Sequence, residues 1–290
     1  MEADFTLVPI GGLGNRINAI CSAITYCNNK NKTLKILWFK DHGLNCSIDE
    51  LMSIDPRFTN VKMFDARFSD FILRANPRKK NFWIPKLFQY FLFDRRIYLK
   101  EFYNVVSVHK KPDFGDIDTK KHIFMVGYWR FYEKPDMWKS IVIAPSIIQK
   151  VTEITKSFND YKRIVGIHIR RTDNTDSIRN SPTDLFVKKI HEEIDMYKEI
   201  VRFYLASDSL EEKNKIVGQF GNQLIITSLE QTSRNNKEGI INAFVEMNVL
   251  SQTHKIYASF NSSFSEIAHL LSDNEFETLS INDSSITIVK

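Results

Sequence analysis

The chain has 290 residues, 43% of them hydrophobic and 26% charged, which excludes disordered and fibrous classes and leaves room for two ordinary domains. A formal charge of +5 suits an anionic ligand or surface without selecting one. No apolar run is long enough for a transmembrane helix and no leader pattern is seen, and Cys21, Cys27 and Cys46 form neither a disulfide framework nor a zinc spacing, so a reducing, cytoplasmic setting is expected.

In chain order, Phe5 to Ile10 reads as a strand, Gly11-Gly12-Leu13-Gly14-Asn15-Arg16 as a glycine-rich turn, and Ile17, Ile20, Ile24 and Cys27 as a helix face. A second strand, 34–39, completes a βαβ unit. Residues 47–122 are less regular and rich in aromatics, and 123–129 again read as a strand. The C-terminal half alternates cleanly. Strands are expected at 163–169, 201–206, 223–227 and 254–259, and helices near 183–195, 209–219, 237–250 and 263–272. Ser181 is a candidate N-cap for the first of these helices. Such alternation predicts a parallel, doubly wound sheet. Pro135 and Pro145 interrupt the pattern, so the expected domains are 1–145 and 146–290.

The most informative stretch is Arg163 to Asp173. An apolar strand ends in His168-Ile169-Arg170-Arg171-Thr172-Asp173, at the strand end where α/β sheets bind ligands. Guanidinium holds phosphate by two parallel charge-assisted hydrogen bonds, so an anionic, phosphorylated ligand is implied. Period-2 alternation places His168 and Arg170 on one face and Arg171 on the other. One arginine can then meet the ligand while the other pairs with a carboxylate such as Asp173. His168 is equally a ligand contact or a hydrogen-bonded structural residue.

Three other segments meet helices at strand ends. The glycine turn brings backbone N–H groups close to an anion, or is simply a tight turn; it is neither a dinucleotide fingerprint nor a Walker loop. Asp208 accepts from a base or ribose, or caps the next helix. Asn261-Ser262-Ser263-Phe264-Ser265 offers hydroxyls and N–H groups to phosphate, or again a cap. Asp116-Ile117-Asp118 has the form of a metal-binding pair but lacks a preceding apolar strand, and no metal site is expected there. In residues 78–91, basic side chains alternate with aromatics. A core helix with a charged rim is the preferred reading; contact with an anionic membrane surface or nucleic acid is the other.

His168-Ile169-Arg170-Arg171-Thr172-Asp173 resembles the His-x-Arg-Arg-x-Asp signature of the fucosyltransferase superfamily, which includes the α1,2-, α1,6- and protein O-fucosyltransferases. Gly11 to Asn15 and Gly127-Tyr128-Trp129-Arg130 with Glu133-Lys134 look like segments of the α1,2 group. Tyr204 to Asp208 and Ser262 to Ala268 look like the second and third superfamily motifs. The resemblance implies an α/β fold of GT-B type, two Rossmann-like domains facing a cleft, with the donor on the C-terminal one. It implies an inverting transfer from GDP-fucose to an oligosaccharide or lipid-linked glycan, with no required cofactor or metal and no nucleic-acid partner; the alternatives are a same-fold transferase using another nucleotide sugar and a non-catalytic glycan- or nucleic-acid-binding protein. By position, Arg170 takes the β-phosphate, His168 and Asp208 the guanosine, and Ser262 and Ser263 lie near the phosphates. Gly12, Gly14 and Asn15 belong to the loop that closes over the donor, and Asp173 is expected to orient Arg171. Asn174 and Ile178 stand where the α1,6 enzymes carry a lysine and a glutamate, which leaves Asp176 as the candidate general base. Arg16 replaces the glutamine usual in the α1,2 glycine loop. A surface-glycan precursor is the expected acceptor class, with peripheral contact at the inner membrane face through 78–91 as a further expectation.

Overall fold

The computed structural model describes residues 4–41, 44–74, 83–109, 113–230, 233, 235–272 and 274–281. The chain divides into two compact units, Met1–Ala144 and Pro145–Lys290.

The first unit contains β1 (Phe5–Pro9), α1 (Leu13–Asn29), β2 (Leu34–Trp38), β3 (Met52–Ile54), β4 (Val61–Asp65), α2 (Trp83–Leu92), β5 (Arg95–Ile97), α3 (Leu99–Phe102), β6 (Ile123–Gly127) and β7 (Ile141–Ile143). Five strands form a parallel sheet in the order β4-β2-β1-β6-β5, while β3 and β7 pair antiparallel. Every residue of β1 and β6 is buried, as a parallel strand covered on both faces requires. Val8, Leu37, Phe124 and Val126 pack with Leu73 on one side of this sheet.

The second unit contains α4 (Pro145–Thr155), β8 (Arg163–Ile169), α5 (Thr175–Asn180), α6 (Thr183–Tyr197), β9 (Val201–Ser207), α7 (Leu210–Phe220), β10 (Ile225–Ile226), α8 (Lys237–Leu250), β11 (Lys255–Ser259), α9 (Ser263–Leu270) and β12 (Glu275–Leu279). Its sheet runs β10-β9-β8-β11-β12, all parallel. Val165, Ile167 and Ile169 of β8, Phe203 and Leu205 of β9, and Phe186 and Ile190 of α6 form its core. Strand order reverses between β8 and β11, so the crevice beyond their carboxyl ends is a topological switch point. In the first unit the reversal falls between β1 and β6. The expected doubly wound α/β fold is therefore present, with the Arg-Arg motif at one switch point and the glycine turn at the other.

Several local expectations need correcting. Ser181 does not cap α6; Pro182 occupies the cap position, and the buried Ser181 hydroxyl donates to Leu279 O and accepts from Phe260 N–H at 2.8 Å. Asp208 does not cap α7; that role falls to Ser209, whose hydroxyl accepts from Glu212 N–H at 3.2 Å. The 223–227 strand shrinks to two residues, and the edge strand β12 had no clear signal. In the 78–91 segment, residues 78–82 lie outside the described region. The remainder forms α2, but Leu87, Phe88, Tyr90 and Phe91 are exposed, which overturns the core-helix reading.

Candidate active site

The strand β8 stops at Ile169, and the chain turns sharply through the two arginines. Three groups hold that turn. Ser259, at the end of β11, accepts from Arg170 N–H at 3.0 Å and donates to His168 O at 3.2 Å. Asp208, just beyond β9, accepts from Arg171 N–H at 2.7 Å and from the Thr172 hydroxyl at 2.7 Å. Neighbouring strands thus clamp the motif from both sides.

The two arginine side chains part company. Arg170 donates through Nε to Asp173 at 2.9 Å and through a second nitrogen to the same oxygen, and lies 3.8 Å from Asp208. Arg171 turns toward α6, donating to Ser181 O and the Thr183 hydroxyl, both at 3.0 Å, with Glu212 at 3.6 Å. Asp173 therefore pairs with Arg170, not with Arg171 as expected. The strand alternation behind that expectation ends at Ile169. Arg171 joins the motif turn to the start of α6, whereas Arg170 remains at the switch point with its side chain only 11% exposed.

His168 is buried on the same strand end. Its ring stacks on Phe264 at 4.7 Å and 22°, with Nδ1 3.1 Å from the Ser265 hydroxyl and 3.5 Å from that of Ser262. Burial, reinforced by the positive charge of Arg170, pushes its pKa well below the usual imidazole range, so the ring is neutral. For Asp208, burial favours the protonated form. The hydrogen bonds from Thr172 and Arg171 and the charge of Arg170 outweigh it, so the carboxyl stays below its ordinary range and ionised. Behind it, Lys213 and Glu246 form a buried pair that also holds Ser228 O, and burial lifts the Glu246 carboxyl to about 7.

Ser262 occupies the cap position of α9, but its hydroxyl makes no capping bond. The first N–H groups of a helix, here those of Ser263, Phe264 and Ser265, lack intrahelical partners and favour an anion. Asn261 before them adopts φ 52°, a left-handed conformation that asparagine tolerates better than most residues. The Asn174 side chain donates to Asn261 O at 3.2 Å, and Ser177 donates to Phe260 O, which fixes α5 against this turn. Asp176 is exposed on α5.

In the first unit, Gly11 has φ +86°, and a Cβ there would meet Asn15 Nδ2 at 2.9 Å. Gly12 precedes α1 without a side-chain cap, leaving the first N–H groups of α1, including those of Gly14 and Asn15, unbonded within the helix. Arg16 is wholly buried. It donates to Gly11 O at 2.9 Å, Phe39 O at 2.8 Å and Asp41 at 2.9 Å, and lies 4.6 Å over the Trp38 ring. Arg16 thus pins the glycine turn to the end of β2. Ile10 N–H donates to Gly127 O at 2.9 Å, so Tyr128 comes directly after the end of the neighbouring strand β6. The acidic pair separates: Asp116 binds Arg95 at 2.8 Å, while Asp118 takes Lys30 and the Tyr26 hydroxyl.

The structure brings His168, Arg170, Asp173, Asp208, Ser262 and Ser263 to the carboxyl end of the second unit's central strands. Gly12, Gly14 and Asn15 lie at the carboxyl end of β1, the central strand of the first unit's sheet. The bracing roles of Ser259, Thr172 and Arg16 escaped the sequence reading, because a lone hydroxyl at a strand end or an arginine inside a helix carries no distinctive pattern.

No protein-family model and no curated protein matches this sequence. Solved structures do match. A NodZ α-1,6-fucosyltransferase soaked with GDP-fucose aligns with TM-score 0.67 at 14% identity, covering 98% of this chain and 99% of that one. Fucosyltransferase NodZ from Bradyrhizobium aligns with TM-score 0.63 at 13% identity, covering 99% of each chain. POFUT1 in complex with GDP-fucose aligns with TM-score 0.54 at 11% identity, covering 94% of this chain and 95% of that one. The chain therefore has the GT-B-type α/β fold of these fucosyltransferases over nearly its whole length.

Proposed function

We propose that the protein is an inverting glycosyltransferase that moves fucose from GDP-fucose to a hydroxyl of a glycan, on an oligosaccharide or lipid-linked acceptor. The observation that carries this reading is Arg170. It follows a buried strand at a topological switch point, is held in place by Asp173 and Ser259, and stands at the same end of the sheet as the start of α9. Departure of GDP develops negative charge on the β-phosphate. A fixed guanidinium and helix N–H groups stabilise that charge without a metal ion. The fold shared with proteins solved with GDP and GDP-fucose supports the choice of donor.

Roles follow for the other residues. Arg170 binds the phosphate bidentately once Asp173 yields it, and Ser262 and Ser263 complete the phosphate site. Neutral His168 donates or accepts a single hydrogen bond to the nucleoside. Asp208 keeps the motif turn in place by accepting from Arg171 N–H and from the Thr172 N–H and hydroxyl; of the roughly four lone-pair sites of a carboxylate this leaves about one free, and guanine takes a second once Thr172 yields it. Arg171 acts through the position of α6. Gly12, Gly14 and Asn15 are proposed donor contacts, and Asp176 is the proposed base that takes the acceptor proton. The surface-glycan precursor and the cytoplasmic setting belong to the same proposal. Anomeric analysis of the product by NMR tests inversion. A β-linked donor must give an α-linked product, and retention of configuration would remove the proposed mechanism.

A further inference from the structure

Positive charge is concentrated in one stretch of this protein. Residues 67–96 carry eight Lys and Arg against two Asp, while the whole chain has a formal charge of +5; of the eight, Arg95 is paired with Glu101 and Asp116 from outside the stretch. Apart from this stretch, the chain is close to neutral. Three of the basic residues, Arg78, Lys79 and Lys80, lie outside the described region. The described part is built from the short turn Phe68–Leu73 and from α2. Buried Gln89 clasps the two, donating to Ile72 O at 2.8 Å and Arg74 O at 3.2 Å and accepting from the Tyr98 hydroxyl at 2.9 Å.

The outer face of this pair is apolar. Phe68 is 94% exposed, Phe91 77% and Tyr90 64%, and Phe71, Leu87 and Phe88 are exposed beside them. Exposed Lys86, Arg67 and Arg74 border them, and the Arg96 guanidinium lies 4.9 Å over the Tyr90 ring. Clustered exposed aromatics on a soluble surface mark an interaction site. The charge selects the partner. A second copy meeting this face would set like charge against like charge. Single-stranded nucleic acid would use the rings by stacking but leave the Leu87 side chain without a role. Aromatic and leucine side chains amid Lys and Arg suit the boundary between headgroups and acyl chains of an anionic bilayer.

We propose that the face formed by Phe68–Leu73 and α2 docks reversibly on an anionic lipid surface, with its aromatic side chains at the headgroup boundary and its basic rim on lipid phosphates. The docking stands whether or not the chain transfers fucose. If it does, an acceptor carried on lipid would be presented to an enzyme already at the membrane.

Vesicle sedimentation of the full chain tests this. Phosphatidylcholine vesicles containing phosphatidylglycerol should pellet the protein at low salt, pure phosphatidylcholine should not, and high salt should release it. Lys86→Glu should weaken partitioning by at least about fivefold. A Phe68→Ser, Phe91→Ser double variant should weaken it by at least about tenfold at unchanged charge. The two phenylalanines are exposed, so thermal unfolding of that double variant should match wild type, while Lys86→Glu also loses the placement of the ammonium 5.4 Å over the Tyr98 ring and its midpoint is compared separately. The proposal is overturned if wild type ignores anionic vesicles, or if the double variant pellets like wild type. It is also overturned if the same phenylalanines govern oligonucleotide binding or self-association instead.

Discussion

The two units place an arginine near a topological switch point, and they use it in opposite ways. Arg16 follows the glycine turn and is wholly buried, with its guanidinium committed to Gly11 O, Phe39 O and Asp41. Burial lowers its pKa and Asp41 opposes the shift, so the charge serves the loop it sits under. Arg170 follows β8 and is tied to acidic groups that a phosphate can displace, Asp173 foremost. A guanidinium satisfied by backbone carbonyls shapes a loop, whereas one satisfied by an exposed carboxylate remains exchangeable.

That contrast predicts different failures. Removing Arg16 should be the largest effect. Arg16→Ala leaves two carbonyls without their donor and opens a cavity, and should cost about 3 kcal/mol of stability in denaturant unfolding. A midpoint equal to that of wild type would show that the glycine turn holds itself. Arg170→Lys should leave stability nearly intact and lower turnover at least tenfold, about 1.4 kcal/mol, through loss of the bidentate fork. Turnover close to wild type would remove Arg170 from the mechanism.

The third expectation concerns pH. His168 titrates below its unfolded value, so the unfolded chain binds the extra proton first as pH falls. Its contribution is neutral above the ordinary imidazole pKa of about 6.5, and stability is lost as pH drops below it. Relative to His168→Gln, wild type should lose up to about 1.4 kcal/mol per pH unit over that window. Glu246, raised to about 7, acts in the opposite sense, because its ionisation in the unfolded chain costs native stability as pH rises. The His168→Gln comparison cancels that contribution, and parallel stability curves for the two proteins would contradict the buried neutral ring. The smallest effect expected is at the acidic pair. Asp116 is committed to Arg95 and Asp118 to Lys30 and Tyr26, so Asp116→Asn should be nearly silent in turnover and activity should survive EDTA. Loss in EDTA with rescue by Mn²⁺ would reverse the metal-free reading.

How legible the fold was depended on burial. Strands β8, β9 and β11 are covered on both faces, so their sequences are continuous apolar runs with sharp polar ends. In contrast, β5 is Arg95-Arg96-Ile97, three residues whose charges are absorbed by Glu101, Asp116 and backbone carbonyls, and nothing in their pattern announces a strand. The motif ends of the strands were also readable, since Arg, Asp and Ser after an apolar run stand out. Their partners were not. Asp173 reaches Arg170 because the chain leaves the strand geometry at Ile169, and alternation says nothing about side-chain direction beyond that point. Ser259 and Thr172 brace the site through bonds to backbone and to Asp208, 89 and 36 residues away in sequence. The exposed face of α2 shows the same limit from the other side, because an amphipathic pattern states which residues share a face but not whether anything covers it.

Calorimetric titration of wild type and Arg170→Lys with GDP, UDP and ADP tests the central claim most directly. The account predicts that wild type binds GDP more tightly than either other diphosphate, because the Asp208 carboxylate, once Thr172 releases it, accepts from both the ring N–H and the amine of guanine. It also predicts that Arg170→Lys weakens all three by a similar factor, since Arg170 meets the phosphates and not the base. Equal affinity of wild type for the three diphosphates, or GDP affinity unchanged in Arg170→Lys, would contradict it.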